Sequence, residues 1–440
     1  MKKTERNANV NRREFLKTTA GVITGAIAFP YIVPSSVLGA GGAVAPSNKL
    51  LVGIIGVGSQ GTWDMRGFLD RPEARVVAVC DVDERHQKTA KTEVDTKYGN
   101  SDCKMYLDFR DVIARDDIDI IATAVPDHWH SIPAIMAAKA GKDIHGQKPF
   151  ARTIREGRAM CDAVKRYGVI WQTGSWQRSI YNFRRACELV RNGRIGKVHT
   201  VEVGLPTGQS SSQNNPVRPV PKGADWDFWL GPAPWVPFRG VLHWDWRWIM
   251  DYSGGQLTDW AGHHVDIAHW ALDLERTGPV EIEGKGKYPK DGIYNVPYEY
   301  KIIAKYANGL TMIIADQRQL KNGMGTCWYG DKGWLHVDRE RPLKASPASV
   351  LDEVIGPNEV HLYESRDHHQ NFLDCVKSRR ETITPAEVAH RSISVGLLGE
   401  IALLTGRKLK WDPEKEVFIG DDEANRMLSR PMRSPWHLYI

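Results

Sequence analysis

The sequence has few of the signals that mark metal-ribbon, thioredoxin-type or repeat proteins. None of its six cysteines is spaced as CxxC, which argues against a zinc ribbon or a dithiol redox site. Spacing alone leaves open whether the cysteines form disulfides or remain buried thiols. No internal repeat occurs, and the 440 residues are enough for two globular domains.

A strong excess of charge is also missing from most of the chain. The formal net charge is +6, but residues 1–45 alone hold six basic and two acidic residues. The remainder is nearly balanced, so there is no electrostatic reason to expect a nucleic-acid partner.

Residues 1–45 are predicted to be a twin-arginine export signal. Arg12 and Arg13 precede an uncharged stretch from 18 to 48, and residues 43–45 offer a small-residue cleavage site. This layout predicts a folded protein that the twin-arginine translocation machinery carries to the periplasm, with no stable membrane span after cleavage. An uncut leader that anchors the protein in the membrane is the alternative.

A dinucleotide-binding pattern follows the leader. The apolar run 50–55 predicts a buried parallel strand, and GVGSQG leads from it into a helix predicted over 62–69. The first glycine permits a tight turn, the second lets the backbone approach a pyrophosphate, and the third allows the helix to lie close to the strand. The residues predicted to contact the dinucleotide here are Gly56, Val57, Gly58, Ser59, Gln60 and Gly61.

The acidic residue at the end of the next strand predicts the type of cofactor. Asp81 ends the run ARVVAVCD, at the spacing from Gly61 that places a carboxylate on the ribose hydroxyls. Such a carboxylate also repels a 2′-phosphate, so the pattern favours NAD over NADP. A solvated strand end is the alternative interpretation.

Strands and helices then alternate as in a doubly wound fold. A strand is predicted over 118–124, and a helix and a short strand follow it up to Lys148. This alternation predicts a parallel sheet with right-handed crossovers. The carboxyl ends of its strands, near Gly56, Asp81, Pro126 and Lys148, are expected to line one crevice in which a ligand binds.

After about residue 170 the pattern changes to clustered strands with short turns. The runs KVHTVEVGLP, IEGKGKYP, YEYKIIAKYA and LTMIIADQ predict an antiparallel sheet, and a helix over 367–405 is expected to pack across both domains. The predicted divisions are 1–45, 46–170 and 171–440. The uncovered face of an open sheet predicts a homodimer or homotetramer.

The stretch LTDWAGHHVDIAHW, residues 257–270, concentrates two carboxylates and three histidines. Thr258 is a possible N-cap, and a helix starting at Asp259 places Asp259 and His263 on one face, with His264 one step round. No two of the histidines have the i, i+4 spacing of a helical zinc site, so no metal site is predicted. Proton-handling groups and ordinary polar residues at a helix start remain the two interpretations.

Four segments together resemble the Gfo/Idh/MocA oxidoreductases, named for glucose–fructose oxidoreductase, inositol dehydrogenase and a rhizopine catabolism protein. They are GVGSQG, VAVCDVDERH, AVPDHWHSIPAIMAAKAGKDIHGQKPF and GGQLTDWAGHHVDIAHW. The resemblance covers essentially everything after the leader, in the right order. It implies an α/β protein: an N-terminal Rossmann domain with a doubly wound parallel sheet, and a C-terminal α+β domain with a large, mostly antiparallel open sheet.

The resemblance also implies three catalytic residues, Lys148, Asp259 and His263, beside the nicotinamide. Oxidising a secondary alcohol releases a proton, and the hypothesis is that His263 accepts it. Asp259 would orient His263 or bind a substrate hydroxyl, and Lys148 would hold the reacting oxygen or share the proton. The family's usual Glu before the Lys is Gln147 here, which leaves the division of labour between Lys148 and His263 open.

Further residues are predicted at the site with a structural role as the alternative for each. Pro126, His128, His130 and Gln177 are expected beside the cofactor. Arg178, Arg247 and His264 are candidates for substrate contact. The aromatic-rich segment 226–248 could stack on sugars, although packing or an oligomer interface is the favoured interpretation.

These observations predict an NAD-dependent oxidoreductase that moves a hydride between a secondary hydroxyl of a sugar, polyol or glycoside and a tightly bound nicotinamide. Tight binding is expected because free NAD is scarce outside the cytoplasm, so an exported enzyme needs a closed redox cycle. The alternatives are a glycoside-cleaving enzyme that oxidises, eliminates and re-reduces, a conventional dehydrogenase with exchanging NAD, and a non-catalytic carbohydrate-binding protein.

Overall fold

The computed structural model of the protein describes residues 48–211 and 215–438, and the predicted export signal lies outside them. The first part of the described chain is a six-stranded sheet. Its strands are β1 (Leu50–Ile55), β2 (Ala74–Cys80), β3 (Lys104–Tyr106), β4 (Ile120–Thr123), β5 (Asp143–Gly146) and β6 (Trp171–Thr173). The helices of this part are α1 (Ser59–Leu69), α2 (Glu84–Tyr98), α3 (Phe109–Ile113), α4 (Ser131–Lys139) and α5 (Ile154–Tyr167).

The strand order of this sheet confirms the doubly wound prediction. All neighbours pair in parallel in the order β3-β2-β1-β4-β5-β6, so the order reverses between β1 and β4. Loops on either side of that reversal diverge and leave a crevice at the carboxyl ends of the strands. Strand β6 extends the sheet beyond residue 170, past the boundary predicted from the sequence.

The second part of the described chain builds a nine-stranded sheet. Its strands are β7 (Val198–Leu205), β8 (Glu281–Lys287), β9 (Glu299–Lys305), β10 (Thr311–Asp316), β11 (Gly325–Gly330), β12 (Gly333–Val337), β13 (Lys344–Ser346), β14 (Leu409–Asp412) and β15 (Val417–Phe418). The helices are α6 (Tyr181–Arg191), α7 (Trp226–Leu230), α8 (Gly255–Leu272), α9 (His368–Ser378), α10 (Ala386–Thr405) and α11 (Asp422–Arg426).

This sheet is mostly antiparallel, as predicted. Its order is β13-β12-β11-β7-β10-β9-β8-β14-β15, and only β7 and β10 pair in parallel. Along β9 the side chains of Tyr300, Ile302 and Ala304 are buried, whereas Lys301 and Lys305 are exposed. Helices α8 and α10 pack over the buried face, which places α8 between this sheet and the crevice of the first.

The single helix predicted over 367–405 is wrong, because the chain forms two helices there. Helix α9 ends at Ser378, and Arg379 adopts a left-handed backbone with φ of 57°. Pro385 then precedes α10, and a proline cannot continue a helix because it lacks the N–H donor. Helix α10 contacts both α5 and α8, so it does pack against both parts of the described chain.

Two other features of the described residues bear on the sequence predictions. Helix α10 is the one described helix that is long and apolar enough to cross a membrane, and most of it is buried inside the protein. All six cysteines are free and buried. The thiols therefore belong to the hydrophobic core, and none is paired in a disulfide.

A buried ion pair joins the two parts of the described chain. Arg152 donates to both carboxylate oxygens of Glu400 on α10, at 2.7 and 3.1 Å, and also to the carbonyl oxygen of Met250. The side chains of Arg152 and Glu400 are only 8% and 6% exposed. Each charge is therefore stabilised chiefly by the other, since water is excluded from both.

We expect Glu400→Gln to lower the free energy of unfolding by roughly 3–5 kcal/mol, because the guanidinium of Arg152 stays buried without a counter-charge. Urea denaturation measures this change. The control is Glu381→Gln, which removes an exposed pair with Arg276 and is expected to cost less than about 1 kcal/mol. Equal losses in the two variants would contradict the prediction.

Candidate active site

The glycine-rich turn after β1 has the geometry that its sequence predicts. Gly56 has φ of +81°, and a Cβ at Gly61 would lie 1.8 Å from the carbonyl oxygen of Gly56, so only glycine permits this contact between helix and strand. A Cβ at Gly58 would meet no atom closer than 3.9 Å, so the turn is open at that point. Helix α1 begins at Ser59, three residues earlier than predicted, and its first N–H groups have no acceptor within the helix.

Asp81 lies directly beside this turn. Its Oδ2 accepts the backbone N–H of Val57 at 2.9 Å, and its Oδ1 accepts the N–H of Asp83 at 2.9 Å. The hydrogen bond to Asp81 raises the pKa of His86, whose Nδ1 lies 3.5 Å from the carboxylate. Asp83, His86 and His243 share this end of the crevice. Asp83 and His86 belong to the segment VAVCDVDERH, but no role was predicted from the sequence for any of the three.

The crevice runs from this end across the carboxyl ends of the strands to Lys148. Nine of the residues predicted from the sequence line it: Gly56, Gly58, Ser59, Gln60, Asp81, Pro126, Lys148, Arg247 and Asp259. Seven predicted residues lie behind its walls or elsewhere: Gly61, His128, His130, Gln177, Arg178, His263 and His264. Val57 lies behind the wall too, and its N–H reaches Asp81.

Lys148 and Asp259 meet at one end of the crevice. Lys148 follows β5, and its Nζ donates to Oδ1 of Asp259 on α8 at 2.7 Å. The helix packs against the segment after β5, since a Cβ at Gly262 would be in van der Waals contact with the Cβ of Lys148 at 3.5 Å, and Ser175 donates to the carbonyl oxygen of Gly262 at 2.8 Å. The structure thus joins two of the three residues that were predicted to be catalytic.

The surroundings of Asp259 keep its carboxyl group ionised. Burial would raise the pKa of Asp259, but the positive charges of Lys148, Arg247 and Arg339 outweigh burial and hold it below the usual value. An ionised carboxylate beside an ammonium group can accept a hydrogen bond from a substrate hydroxyl. The same pair can orient a proton that is being transferred.

His263 lies close to this pair but is not joined to it. It is 2% exposed, its Nδ1 has no hydrogen-bond partner among the described residues, and it does not line the crevice. Burial and the charges of Lys148 and Arg339 hold the pKa of His263 well below its usual value, so the imidazole is neutral. The predicted orientation of His263 by Asp259 is not observed: among the described residues no hydrogen bond joins the two side chains, and Oδ1 of Asp259 accepts from Lys148.

Two histidines that were expected to line the cofactor cleft instead hold its walls together. His128 Nε2 contacts the carbonyl oxygen of Trp229 at 3.0 Å, and burial holds the pKa of His128 well below its usual value. The two ring nitrogens of His130 contact the carbonyl oxygens of Pro149 and Val125, at 2.6 and 2.9 Å. Both imidazoles satisfy backbone groups next to the crevice, and this engagement keeps them away from a ligand.

The predicted substrate contact of Arg178 is not supported. Its guanidinium is 2% exposed and donates to Asp266 and Glu275 at 2.6–2.8 Å, with Trp270 on its face. Asp266 also accepts the hydroxyl of Ser392 on α10. The guanidinium of Arg178 is therefore engaged in ion pairs inside the protein, and these pairs hold α8 in place.

His264 is likewise a core residue. It is fully buried with both ring nitrogens unpartnered among the described residues, and its ring stacks on Trp260 at 5.4 Å between centroids. Its carbonyl oxygen accepts the hydroxyl of Thr326 on β11. Thr258 is not an N-cap either, because α8 begins at Gly255 and the Thr258 hydroxyl accepts the N–H of Gly254.

One charged residue near Asp259 was missed by the sequence analysis. The guanidinium of Arg339 lies between the rings of Trp176 and Trp260, at 4.4 and 4.5 Å from their centroids, and burial lowers its pKa to about 10. In the orientation that satisfies both ends of its amide, Gln177 accepts from Arg339 Nε at 3.0 Å and donates to the carbonyl oxygen of His263 at 3.1 Å. Arg339 follows β12 without any motif, so only the fold could reveal it.

The aromatic segment 226–248 divides between packing and the crevice. Trp226 and Trp229 stack at 4.7 Å and belong to a buried cluster, as the favoured interpretation predicts. Trp244 is 57% exposed and lines the crevice with Arg247, whose guanidinium lies 4.1 Å from its ring centroid. Arg247 is therefore the one predicted substrate residue that faces the crevice.

Burial of His264 predicts a measurable pH dependence. Burial lowers its pKa to about 3, whereas the unfolded value is about 6.5. The unfolded chain therefore binds a proton at pH 5 that the folded chain does not bind, so the free energy of unfolding decreases as the pH falls from 7 to 5. We expect His264→Gln to remove about 2 kcal/mol of that decrease, measured by urea denaturation at both pH values.

The matched control for this prediction is His199→Gln, since His199 is exposed on β7. Its pH dependence should equal that of the unaltered protein. If the His264→Gln variant lost stability between pH 7 and 5 as steeply as the unaltered protein does, the neutral state of His264 would be disproved.

Two family models match the chain. Residues 50–175 match the Gfo/Idh/MocA model described as "Oxidoreductase family, NAD-binding Rossmann fold". Residues 182–438 match the model described as "Oxidoreductase family, C-terminal alpha/beta domain", which alone spans more than half of the chain. The two matches follow one another in the order in which the two sheets are built.

Part of the chain is also similar in sequence to individual proteins. A glycosyl hydrolase family 109 protein of Shewanella baltica (strain OS155 / ATCC BAA-1091) is 32% identical over 175 residues. That match spans 36% of this chain and 38% of the relative, well under two thirds of its length.

Two solved structures are similar over most of the chain. They are the aldose-aldose oxidoreductase of Caulobacter crescentus in complex with glycerol, and the WlbA dehydrogenase of Bordetella pertussis in complex with NADH and UDP-GlcNAcA. The first has a TM-score of 0.59 and 21% identity over 82% of this chain and 99% of the other. The second has a TM-score of 0.60 and 16% identity over 83% and 99%. At these identities the likeness shows the fold alone.

The glycine turn, the acidic residue at the end of β2 and the parallel sheet are the parts that a dinucleotide fold requires, and the family match covers them together with the second sheet. The chain therefore belongs to the Gfo/Idh/MocA oxidoreductase family, and its N-terminal part is an NAD-binding Rossmann fold.

Proposed function

We propose that this protein transfers a hydride between a secondary hydroxyl of a sugar, polyol or glycoside and a tightly bound NAD. The observation that carries the proposal is the contact between Lys148 and Asp259, 2.7 Å apart, at the end of a crevice that begins at the glycine turn. A dinucleotide bound along that crevice brings its nicotinamide to this pair. The catalytic roles rest on this geometry, and the tight binding rests on the expected export of the protein to a compartment where free NAD is scarce.

The residues of the crevice fit a dinucleotide. Gly58 leaves the turn open to a phosphate, and the first N–H groups of α1, from Ser59 onward, are free to bind its oxygens. Asp81 stands where ribose hydroxyls would be recognised. When bound, NAD accepts the hydride or returns it.

The residues of the protein then handle the oxygen and the proton. Lys148 would hold the reacting oxygen. As a neutral amine it would accept the hydroxyl proton during oxidation, and as an ammonium group it would return that proton during reduction, while Asp259 fixes the nitrogen by hydrogen bonding. This differs from the sequence hypothesis that His263 accepts the proton. His263 is buried one turn along α8 and is held neutral, so we assign it the position of a neighbour that supports the pair.

The substrate class follows from the side chains around the pair. Arg247 and Trp244 offer a cation and an exposed aromatic face in the crevice. Aromatic faces stack on the C–H faces of sugars, and guanidinium groups donate to hydroxyls or carboxylates. The similar structures named above are an aldose-aldose oxidoreductase and a dehydrogenase that holds UDP-GlcNAcA, which is consistent with a sugar-like substrate.

Export, assembly and domain boundaries complete the proposal. Arg12 and Arg13 support twin-arginine export to the periplasm, where a retained NAD would have to be re-reduced or re-oxidised by a second substrate.

The exposed face of the nine-stranded sheet supports a homodimer or homotetramer. The boundary between the two domains is proposed to follow β6, within residues 174–181.

Substitution of Lys148 tests the proposed chemistry. We expect Lys148→Met to lower kcat by roughly 10²–10⁴, because the reacting oxygen loses its hydrogen-bond donor and its proton carrier. His263→Gln should lower kcat far less. Protein purified without added nucleotide should still show the near-ultraviolet band of bound reduced nicotinamide after incubation with a sugar, in the His263→Gln variant but not in Lys148→Met.

The control for both variants is Lys301→Met, an exposed lysine on β9, which should leave kcat unchanged. A Lys148→Met variant that retained full turnover would overturn the assignment. If kcat fell as far in His263→Gln as in Lys148→Met, His263 would be the proton acceptor, as the sequence hypothesis has it. A folded protein that never carries nicotinamide through purification would overturn tight binding.

A glycoside-cleaving cycle is the second candidate function, and the match to a glycosyl hydrolase family 109 protein favours it. Transient oxidation of a glycoside would acidify the neighbouring C–H, so that this proton and the aglycone could leave by elimination. Water would then add across the resulting double bond, with its proton going to the neighbouring carbon, before the hydride returns to the ketone. We expect products released in D₂O to carry deuterium at that neighbouring carbon, as measured by mass spectrometry. If turnover releases no aglycone and introduces no deuterium, the glycoside-cleaving cycle is excluded and the sugar oxidoreductase remains.

A further inference from the structure

Three buried side chains converge at a point behind Lys148. Asp64 comes from α1, His145 from β5 and His369 from α9, and they are 2%, 1% and 4% exposed. Nε2 of His145 lies 3.5 Å from Oδ1 of Asp64, and Nε2 of His369 lies 3.4 Å from the same oxygen. Three separate elements of the fold thus direct one atom each to a common centre.

These three atoms have no hydrogen-bond partner among the described residues. The opposite atoms of two of the side chains are satisfied: Gln147 donates to Oδ2 of Asp64 at 2.8 Å, and Nδ1 of His145 lies 3.2 Å from Oε1 of Gln172. The side-chain amide oxygen of Gln172 can only accept a hydrogen bond, so the proton of His145 lies on Nδ1. Nε2 of His145 therefore carries a lone pair. Buried lone pairs that face one another need a cation or a proton between them.

The distances distinguish a cation from a shared proton. Charge-assisted hydrogen bonds between imidazolium and carboxylate are about 2.7–2.9 Å long, well below the 3.4 and 3.5 Å seen here. Two ligands at about 2.1 Å from a tetrahedral ion lie about 3.4 Å apart, whereas octahedral geometry places them about 3.0 Å apart. The observed separations match the tetrahedral case.

We propose that Asp64, His145 and His369 bind a tetrahedral Zn²⁺ ion. Two imidazoles and one carboxylate are ligands that zinc accepts, and the geometry disfavours the octahedral ions that prefer oxygen. The three side chains leave a fourth coordination position. Phe68 and Phe372 enclose the rings of the two histidines, with centroids 5.2–5.7 Å apart, so the ion would be shielded from solvent.

The proposed ion would have a structural role that is independent of the hydride chemistry. It would tie α9, near the C-terminus, to α1 and β5 of the parallel sheet. Gln147 connects it to the active site, since this amide bonds Asp64 and directly precedes Lys148. The amide at this position also makes sense of the departure from the family's Glu, because a second carboxylate would face Asp64 without a donor between them.

Metal analysis of the full-length protein tests the site. The protein is to be produced with zinc in the medium, without a polyhistidine tag, and dialysed against a weak chelator. We expect about one zinc ion per chain by plasma mass spectrometry. Replacement by Co²⁺ should give the intense visible bands of a tetrahedral N/O site, and neither readout depends on activity or on bound NAD.

Variants separate this site from adventitious binding. His369→Gln is expected to lose the zinc and the cobalt bands, whereas His264→Gln, another buried histidine outside the cluster, should retain both. If His369→Gln does not fold, the metal is removed from the unaltered protein with a chelator and either zinc or cobalt is added back. Zinc should then raise the Tm of the protein, and cobalt should restore the visible bands. A folded protein that takes up neither metal, or an unchanged metal content in His369→Gln, would overturn the proposal.

Discussion

The contact between Lys148 and Asp259 is the constraint around which the rest of the structure is arranged. It joins the carboxyl end of β5 to a helix that packs over the other sheet. An ammonium and a carboxylate in a partly buried position stabilise one another only when the geometry is held firmly. Gly262 on that helix lies in packing contact with Lys148, and Ser175 donates to the carbonyl oxygen of Gly262, so the helix backbone is held next to the pair.

The histidines show how the same residue type serves different purposes in this protein. His128 and His130 satisfy carbonyl oxygens in the walls of the crevice, and His264 fills the core without any polar partner. Burial holds His128, His263 and His264 neutral near neutral pH. A neutral imidazole costs much less to bury than a charged one, so histidines in a helix next to an active site need not be catalytic.

The arginines are divided in a similar way between structure and function. Arg152 and Arg178 form ion pairs with buried carboxylates, and these pairs hold helices in place. Arg247 and Arg339 lie against tryptophan rings near Asp259 and are available to a ligand or to the field of the site. Since one fold can host many unrelated functions, the side chains around a site, and not the fold, determine its chemistry.

Local patterns in the sequence were sufficient for the parallel sheet, the glycine turn, Asp81 and most strands of the second sheet. Each depends on neighbours along the chain: a run of apolar residues, a glycine spacing or a turn. The continuous helix over 367–405 was wrong because the polar segment RRETIT and Pro385 separate two helices there. The burial of Arg178 and His264 could not be predicted, because an isolated polar residue does not reveal its partners.

The sequence by itself therefore determined the class of fold, the family and the glycine turn with Asp81 beside it, because each depends on a short segment with fixed spacing. Only the tertiary structure decided that Asp259 holds Lys148 and not His263, and that Arg339 stands beside them. It alone brings Asp64, His145 and His369 together from distant positions. The reason is physical: hydrogen bonds and charges act over a few ångströms in space, and separation along the chain does not report that distance.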